Sequence, residues 1–338
     1  MVEKERVCVT GAAGYQASWL VNLLLSQGYI VHGTVRDPND EKNSHLKKLE
    51  NALENLHLLK ADILDYDSIF AAINSCTGVF HLASPVPLGS VPNPEIEIME
   101  PAVTGTCNVL KACSMANVKR VVVLSSIAAV MFDQNWPRKD RPMDESCWSD
   151  KDFCKKIDNW YCLSKTEAET LAIEYGNTSG LDIITVCPPI ILGPLLQSKV
   201  NASSTFLLKM MKDGLEKVED KVRQFVDVRD VAKALLFLYE KPEAKGRYIC
   251  TAFTVTLKGL IEKLKSMYPE YNYPKEIVGG EEDWDITSEK LLNLGWRCRS
   301  MEETLADSVK DYQEKGLLQN LTTGTDTGVD KSLYHNTE

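Results

Sequence analysis

The chain has 338 residues, 44% of them hydrophobic and 25% charged, and a formal net charge of −10. That size predicts one large or two intergrown globular domains, and the acidic balance argues against nucleic acid or an anionic membrane as a partner. No apolar run approaches the ~20 residues a membrane span needs, and the opening Met1-Val2-Glu3-Lys4-Glu5-Arg6 has no signal-peptide core, so a cytoplasmic location is expected.

The first element is a strand over 6–10. It runs directly into Thr10-Gly11-Ala12-Ala13-Gly14-Tyr15-Gln16-Ala17, and an amphipathic stretch with Trp19, Leu20, Leu23 and Leu24 follows. Strand, tight turn and helix N-terminus are the parts of a dinucleotide cradle. Glycine lets backbone N–H groups approach a ligand, and the helix N-terminus favours a pyrophosphate. A second strand over 29–35 closes a βαβ unit, which is the context that gives a glycine pattern its meaning.

Further strands are expected at 56–60, 79–82, 120–124, 182–187 and 247–250. Helix-period stretches lie near 15–27, 42–53, 67–74, 95–117, 160–178 and 228–240. Short apolar strands alternating with helices predict an α/β fold, a doubly wound parallel sheet of the Rossmann kind covered on both faces. Pro188-Pro189 ends the sixth strand, and the alternation breaks there. Residues 1–189 plus about 226–250 are therefore read as the NADP-binding domain. Residues 190–225 plus 251–318 are read as a smaller interleaved C-terminal substrate lobe. Residues 319–338, rich in Thr, Gly and Asp, are expected to form a disordered tail.

Ten cysteines and five histidines include no Cys-x-x-Cys pair, so no metal is expected and reduced thiols are the default. Tyr161 and Lys165, in Asn159-Trp160-Tyr161-Cys162-Leu163-Ser164-Lys165, share one face of a predicted helix. An ammonium close to a phenol favours its ionised form and eases proton exchange. Ser125-Ser126 follows a predicted strand and supplies a donor for a substrate carbonyl. A second Tyr-x-x-x-Lys, from Tyr271 to Lys275, contains Pro274 and is read as chance. The second strand ends in Val35-Arg36-Asp37 with Lys42 beyond. An acidic residue there would suit the ribose of NAD, and an arginine the 2′-phosphate of NADP. Arg36 stands nearer the strand tip, so NADP(H) is preferred. Solvated surface charges remain the plain alternative.

Together these residues resemble the plant dihydroflavonol reductase/cinnamoyl-CoA reductase family of extended short-chain dehydrogenase/reductases, closest to its cinnamyl-alcohol-dehydrogenase-like members. The glycine spacing is that of the extended branch, with Ala17 in place of the third glycine. The strings that carry the likeness are Thr34-Val35-Arg36-Asp37-Pro38, Gly78-Val79-Phe80-His81-Leu82-Ala83, Asp144-Glu145-Ser146-Cys147-Trp148-Ser149-Asp150, Asn159-Trp160-Tyr161-Cys162 and Phe225-Val226-Asp227-Val228-Arg229-Asp230-Val231-Ala232. The resemblance implies Ser126, Tyr161 and Lys165 as the catalytic triad. It implies cofactor contacts at Gly11, Gly14, Tyr15, Gln16, Arg36, Lys42, Asp62, Ile63, Leu82, Ala83, Ser84, Thr104, Tyr161, Lys165, Pro188, Pro189, Ile190, Ile191 and Ser203. Asp62 could instead cap a turn, and Pro188 could simply end a strand.

Departures from the family bear on the substrate. Leu163-Ser164 replace Tyr-Gly, and Phe206 stands where cinnamoyl-CoA reductases show a histidine associated with the CoA moiety, with Lys209 retained. Met131 stands where dihydroflavonol reductases carry asparagine. An apolar pocket of Met131, Ile190, Phe206 and Phe225 is expected, and a small aromatic aldehyde suits it. Each of the four could equally be core. The expected activity is reversible NADPH-dependent reduction of phenylpropanoid aldehydes, such as cinnamaldehydes, to alcohols. The alternatives are a cinnamoyl-CoA reductase or other carbonyl reductase of the family and, from another class, a non-catalytic NADP-sensing protein. The resemblance and their proximity in sequence also imply that a disulfide between Cys154 and Cys162 would constrain the catalytic segment.

Overall fold

Strands that are apolar on both faces need cover on both sides, and the chain supplies it. The computed structural model describes residues 5–87, 89, 91–137, 140–280 and 284–319. Its strands in chain order are β1 (Arg6–Thr10), β2 (Ile30–Val35), β3 (Leu56–Lys60), β4 (Gly78–His81), β5 (Arg120–Leu124), β6 (Asp182–Cys187), β7 (Ile190–Leu192), β8 (Lys217–Glu219), β9 (Val222–Asp227), β10 (Gly246–Ile249), β11 (Phe253–Thr256) and β12 (Glu276–Val278). A 7-stranded sheet has the order β10-β6-β5-β4-β1-β2-β3, with every pair parallel. The order reverses between β4 and β1. This is the doubly wound, Rossmann-like α/β arrangement.

The period of two sorts the strand residues between the faces. Val7, Val9, Phe80, Val122 and Ile184 join one core with the helices Tyr15–Ser26 and Val228–Glu240. Cys8, Val79, Val121, Val123 and Ile183 face the helices Tyr66–Ile73, Glu100–Met115 and Trp160–Ser179. The first core continues without a break into Leu207, Leu260 and Tyr312 of three C-terminal helices, Ala202–Lys212, Leu257–Met267 and Met301–Glu314.

Two expected helices are built differently. The 42–53 stretch is three short pieces, Glu41–Asn43, Ser44–Lys47 and Ala52–Asn55. Asn51, at φ 61°, breaks the last of them away, because a left-handed residue cannot continue an α-helix. The 95–117 stretch begins as a wider π turn, Glu95–Met99, before the α-helix Glu100–Met115. Pro101 has no N–H to give to Glu97.

Beyond β6, β7 and β9 pair in parallel, β11 joins β9 antiparallel, and β8 pairs with β12. The boundary expected at residue 226 falls inside β9, whose final Asp227 caps the next helix by accepting from Arg229 N. Residues 320–338, most of the expected tail, lie outside the described residues. The segment 193–195 is held from two sides. Tyr15 Oη donates to Gly193 O at 2.9 Å, and Trp19 Nε1 donates to Pro194 O at 2.8 Å. From the C-terminal side, Asp311 Oδ2 accepts from Leu195 N at 2.9 Å, and Lys315 Nζ donates to Leu195 O at 2.8 Å.

At the start of β4, a Cβ on Gly78 would lie 2.2 Å from the ring of Tyr239. That ring is buried, packs on Phe80 with centroids 5.0 Å apart, and donates its hydroxyl to Glu5 at 2.5 Å. Gly78→Ala is therefore expected to destabilise the protein by about 1–3 kcal/mol, the range for overpacking, and adding Tyr239→Leu should recover part of the loss. Urea unfolding midpoints check this; an unchanged midpoint for the single variant would refute the packing argument.

Candidate active site

Sheets of this order bind ligands at the carboxyl ends of the strands, where the order reverses. Here that point lies between β1 and β4, and a hydrogen-bond chain stitches it. Thr10 Oγ1, at the end of β1, accepts from Leu82 N and Ala83 N at 3.0 Å each, beyond the end of β4. Its hydroxyl proton is left for His81 Nδ1 at 2.9 Å. His81 Nε2 then donates to Thr106 Oγ1 at 3.1 Å, and Thr106 passes its own proton to Ala102 O at 2.6 Å. Burial pushes His81 down to about 3. The ring is neutral, with its tautomer fixed by its neighbours.

The glycine loop lies against this seam. Gly11 has φ 66°, and a Cβ there would sit 3.1 Å from Ala83 Cα. Gly14 is the N-cap of Tyr15–Ser26 and offers no side-chain acceptor to the helix's first N–H groups. Gln16 Oε1 is buried without a partner. Arg36 is exposed at the tip of β2 and makes no ion pair with any described residue. These features fit a dinucleotide: open N–H donors, a close backbone approach, an orphaned amide oxygen and a free cation at the strand tip.

Other expected cofactor residues have internal duties as well. The Tyr15 hydroxyl is spent on Gly193, and Lys42 Nζ pairs with Asp40 at 2.6 Å. Asp62 Oδ1 accepts from Leu64 N at 2.9 Å, a turn cap, and Ile63 O accepts from Asn108 Nδ2 at 3.0 Å. Pro188 O accepts from Ile127 N at 3.0 Å. Pro189 is buried beside it, and Ile190 and Ile191 continue into β7. Ser203 Oγ accepts from Ile191 N at 3.4 Å. Thr104 is exposed on its helix. Thr106, which the sequence reading passed over, lines a small cavity with His81, Ala83, Ser84, Ser125, Lys165 and Glu169.

The three residues expected to be catalytic converge on the same edge. Ser126 follows β5 and starts a short 3-10 turn, Ile127–Ala129, with Ser126 Oγ accepting from Ala128 N at 3.1 Å. Tyr161 and Lys165 stand in the first turns of Trp160–Ser179, a helix that Asn159 Oδ1 caps by accepting from Cys162 N at 3.1 Å. The ammonium of Lys165 is 5.8 Å from the Tyr161 ring centroid. Burial pushes the Tyr161 phenol up to about 12, and its hydrogen-bonding neighbour Ser126 works in the opposite direction. Burial pushes Lys165 down to about 8, against the raising effects of Glu169 and Cys187.

Glu169, one turn beyond Lys165, is 0% exposed at its side chain and pairs with Arg247 of β10, which is 5% exposed. Nothing in the sequence reading singled out this pair, although Glu169 shares a helix face with Lys165 and Arg247 interrupts an apolar strand. Of the four expected pocket residues, Ile190, Phe206 and Phe225 stand together, with Ile190 opposite Phe225 across β7 and β9. Met131 packs with Ile127, Val130, Met143 and Trp284, whereas Ile190, Phe206 and Phe225 belong to the main core. Phe225 is fully buried between Phe206 and Phe253, with ring centroids 6.0 and 5.6 Å away, so it backs Phe206 and presents no surface to a ligand. Cys154 and Cys162 are free, buried thiols in one small cluster with Ala128 and Leu163. Among the described residues, no helix is long and apolar enough to cross a membrane, and no group of three or more His, Cys, Asp or Glu could hold a metal ion.

The model of the NAD dependent epimerase/dehydratase family matches residues 7–250. The chain belongs to that family. Cinnamoyl-CoA reductase 1 of Petunia hybrida is 46% identical over 321 residues, covering 94% of this chain and 95% of its own. Vestitone reductase from alfalfa shares the fold at a TM-score of 0.81 with 34% identity, over 93% of this chain and 100% of that one. Yeast methylglyoxal/isovaleraldehyde reductase Gre2, solved complexed with NADPH, has a TM-score of 0.80 with 26% identity, over 93% of this chain and 100% of that one. This family member is an NAD(P)-dependent oxidoreductase of the extended short-chain dehydrogenase/reductase type.

With Arg36 free and Lys42 partly engaged by Asp40, Arg36 carries the expected discrimination between cofactors. NADPH should bind more tightly than NADH, and Arg36→Ala should erode the difference about tenfold or more, since charge-assisted hydrogen bonds are worth about 1.5–3 kcal/mol. Fluorescence titration of both cofactors decides this. Equal dissociation constants in the unaltered protein would overturn the assignment.

Proposed function

We propose that the protein is an NADPH-dependent carbonyl reductase of cinnamoyl-type substrates, with aromatic aldehydes such as cinnamaldehydes reduced reversibly to alcohols. One observation carries this reading: Ser126, Tyr161 and Lys165 meet at the carboxyl edge of the sheet beside the glycine loop. The glycine loop, Arg36 and Lys165 would hold the cofactor, which supplies the hydride when bound. Tyr161, held protonated at neutral pH by its burial, gives its proton to the carbonyl oxygen as negative charge develops there. Ser126 donates a hydrogen bond to that oxygen and orients it. Lys165 has two duties, to anchor the ribose and to lower the cost of the phenolate left on Tyr161. Residues 190–225 plus 251–318 would supply the substrate side.

A second substrate reading rests on a specific observation, the high identity to a cinnamoyl-CoA reductase. Phe206 favours the aldehyde: it is partly buried against Phe225, and no imidazole stands there to meet a CoA group. A sensor without turnover would have no use for a gathered Ser126, Tyr161 and Lys165. A panel of cinnamaldehydes, hydroxycinnamoyl-CoA esters and dihydroflavonols with NADPH separates the substrates, and NADPH binding without turnover of any of them would favour the sensor.

Tyr161→Phe should remove nearly all turnover, about 10²–10⁴-fold, and leave NADPH binding close to normal. Lys165→Ala should lose turnover and weaken NADPH binding as well. In the unaltered protein, NADPH affinity should fall as pH rises through about 8, where Lys165 loses its charge. Steady-state rates and NADPH titrations on each variant test the set. A Tyr161→Phe protein keeping more than about a tenth of wild-type turnover contradicts the proton-donor role.

A further inference from the structure

Behind the catalytic residues lies a buried ion pair in which every donor and acceptor is used. Glu169 Oε1 accepts from Arg247 Nε at 2.9 Å and from Thr185 Oγ1 at 2.6 Å, and Oε2 accepts from Ser125 Oγ at 2.7 Å and from Arg247 Nη2 at 3.2 Å. Arg247 gives its remaining N–H groups to Ala129 O at 2.9 Å, Glu145 O at 3.3 Å and Cys147 O. A guanidinium has five N–H donors, and here none is left over.

The placement of these bonds matters more than their number. Ser125 precedes Ser126, and Ala129 closes the short turn that Ser126 begins. Glu169 holds the first of these flanking residues, and its partner Arg247 holds the second. Glu169 also stands one turn from Lys165 on the same helix, and both line one small cavity. We propose that Glu169 is a positioning residue that sets two of the three catalytic groups at once: Ser126, by fixing its neighbour Ser125, and Lys165, by placing a negative charge one turn away. The proposal rests on the reductase reading above.

The groups facing Lys165 make Glu169 the source of that charge. Tyr161 lies on the same helix and is protonated, as its burial requires. His81 at the end of β4 is neutral, and Cys187 at the end of β6 is held as a thiol by burial. Arg247 lies beyond the carboxylate and is itself cationic. Two buried cations thus share one carboxylate. Burial alone drives Lys165 toward its neutral form, and Glu169 is the anion that resists it.

The test uses Glu169→Gln and Ser125→Ala in the full-length protein, with NADPH as the probe. NADPH affinity is measured against pH by fluorescence titration, and kcat and KM are measured with whichever panel substrate the unaltered protein reduces. Glu169→Gln should displace the alkaline fall in NADPH affinity to lower pH by about one unit or more. Its kcat/KM should recover on acidification. Ser125→Ala leaves the ion pair in place, so its pH limb should stay put while kcat falls about tenfold and KM for NADPH holds. A Glu169→Gln protein weakened equally at every pH would overturn the proposal, and so would a Ser125→Ala protein with wild-type kcat. Should Glu169→Gln fail to fold, Ser125→Ala decides alone. The NADPH titrations do not depend on which carbonyl is reduced, so failure of the substrate reading would leave this test standing.

Discussion

The Glu169–Arg247 pair is the constraint on which the edge carrying Ser126, Tyr161 and Lys165 depends. Taking two charges out of water costs several kcal/mol for each ion, and only good geometry and complete hydrogen bonding recover it. Here both conditions are met. The pair joins β10, an edge strand of the sheet, to the helix Trp160–Ser179, to Ser125 just beyond β5, to Thr185 within β6, and to the 145–147 segment. A hydrophobic pair of similar volume could hold these elements together, but it would not fix Ser125, Thr185 and Ala129 by direction. Removing one partner would strand the other, at a typical cost of about 3–5 kcal/mol. The indole of Trp148 lies over the guanidinium at 3.7 Å and adds a cation–π contact.

The second constraint is closeness at the crevice. Thr10, His81 and Thr106 hold the ends of β1 and β4 and the helix Glu100–Met115 together through fully assigned hydrogen bonds. Leu82 and Ala83 direct their N–H groups inward to Thr10, so their side of the crevice presents side chains to a ligand. The glycine loop opposite spends the N–H groups of Gly11, Ala12 and Gly14 on Thr34 Oγ1, Thr34 O and Gly11 O, and it is the first turn of the helix behind it, left by Gly14 without a side-chain cap, whose N–H groups stay open among the described residues. One wall is closed by internal bonding, and the other stays open for a charged group.

Much of this arrangement was legible in the residues. Runs such as Val7-Cys8-Val9 are apolar on both faces, and no surface strand can be. Tyr161 and Lys165 declare their shared face by spacing alone. The two smaller sheets escaped notice because strands such as β7 in one and β8 in the other are too short for a period of two to stand out from a loop. His81, Glu169 and Arg247 escaped for another reason. A histidine or arginine within a strand reads as an interruption, a glutamate among Thr166, Glu167 and Thr170 reads as a solvated helix face, and only the fold shows what satisfies them. Phe225 was taken for a pocket wall on its aromatic character, but its partners Phe206 and Phe253 come from distant parts of the chain. Thr104 is exposed and Thr106 lines the small cavity. Both lie on one helix, and the turn of that helix decides which reaches the cavity.

The 193–195 segment has a consequence for how the molecule comes into being. The glycine loop leaves the ribosome long before residues 301–315 do. Yet the helix behind that loop is braced through Tyr15 and Trp19 against a segment that Asp311 and Lys315 hold from the far end of the chain. Domains can generally fold as they are synthesised, N-terminal part first. Here the helix behind the glycine loop acquires this support only after the segment that includes Met301–Glu314 has been made. A nascent chain therefore carries a recognisable dinucleotide loop long before it carries a braced one.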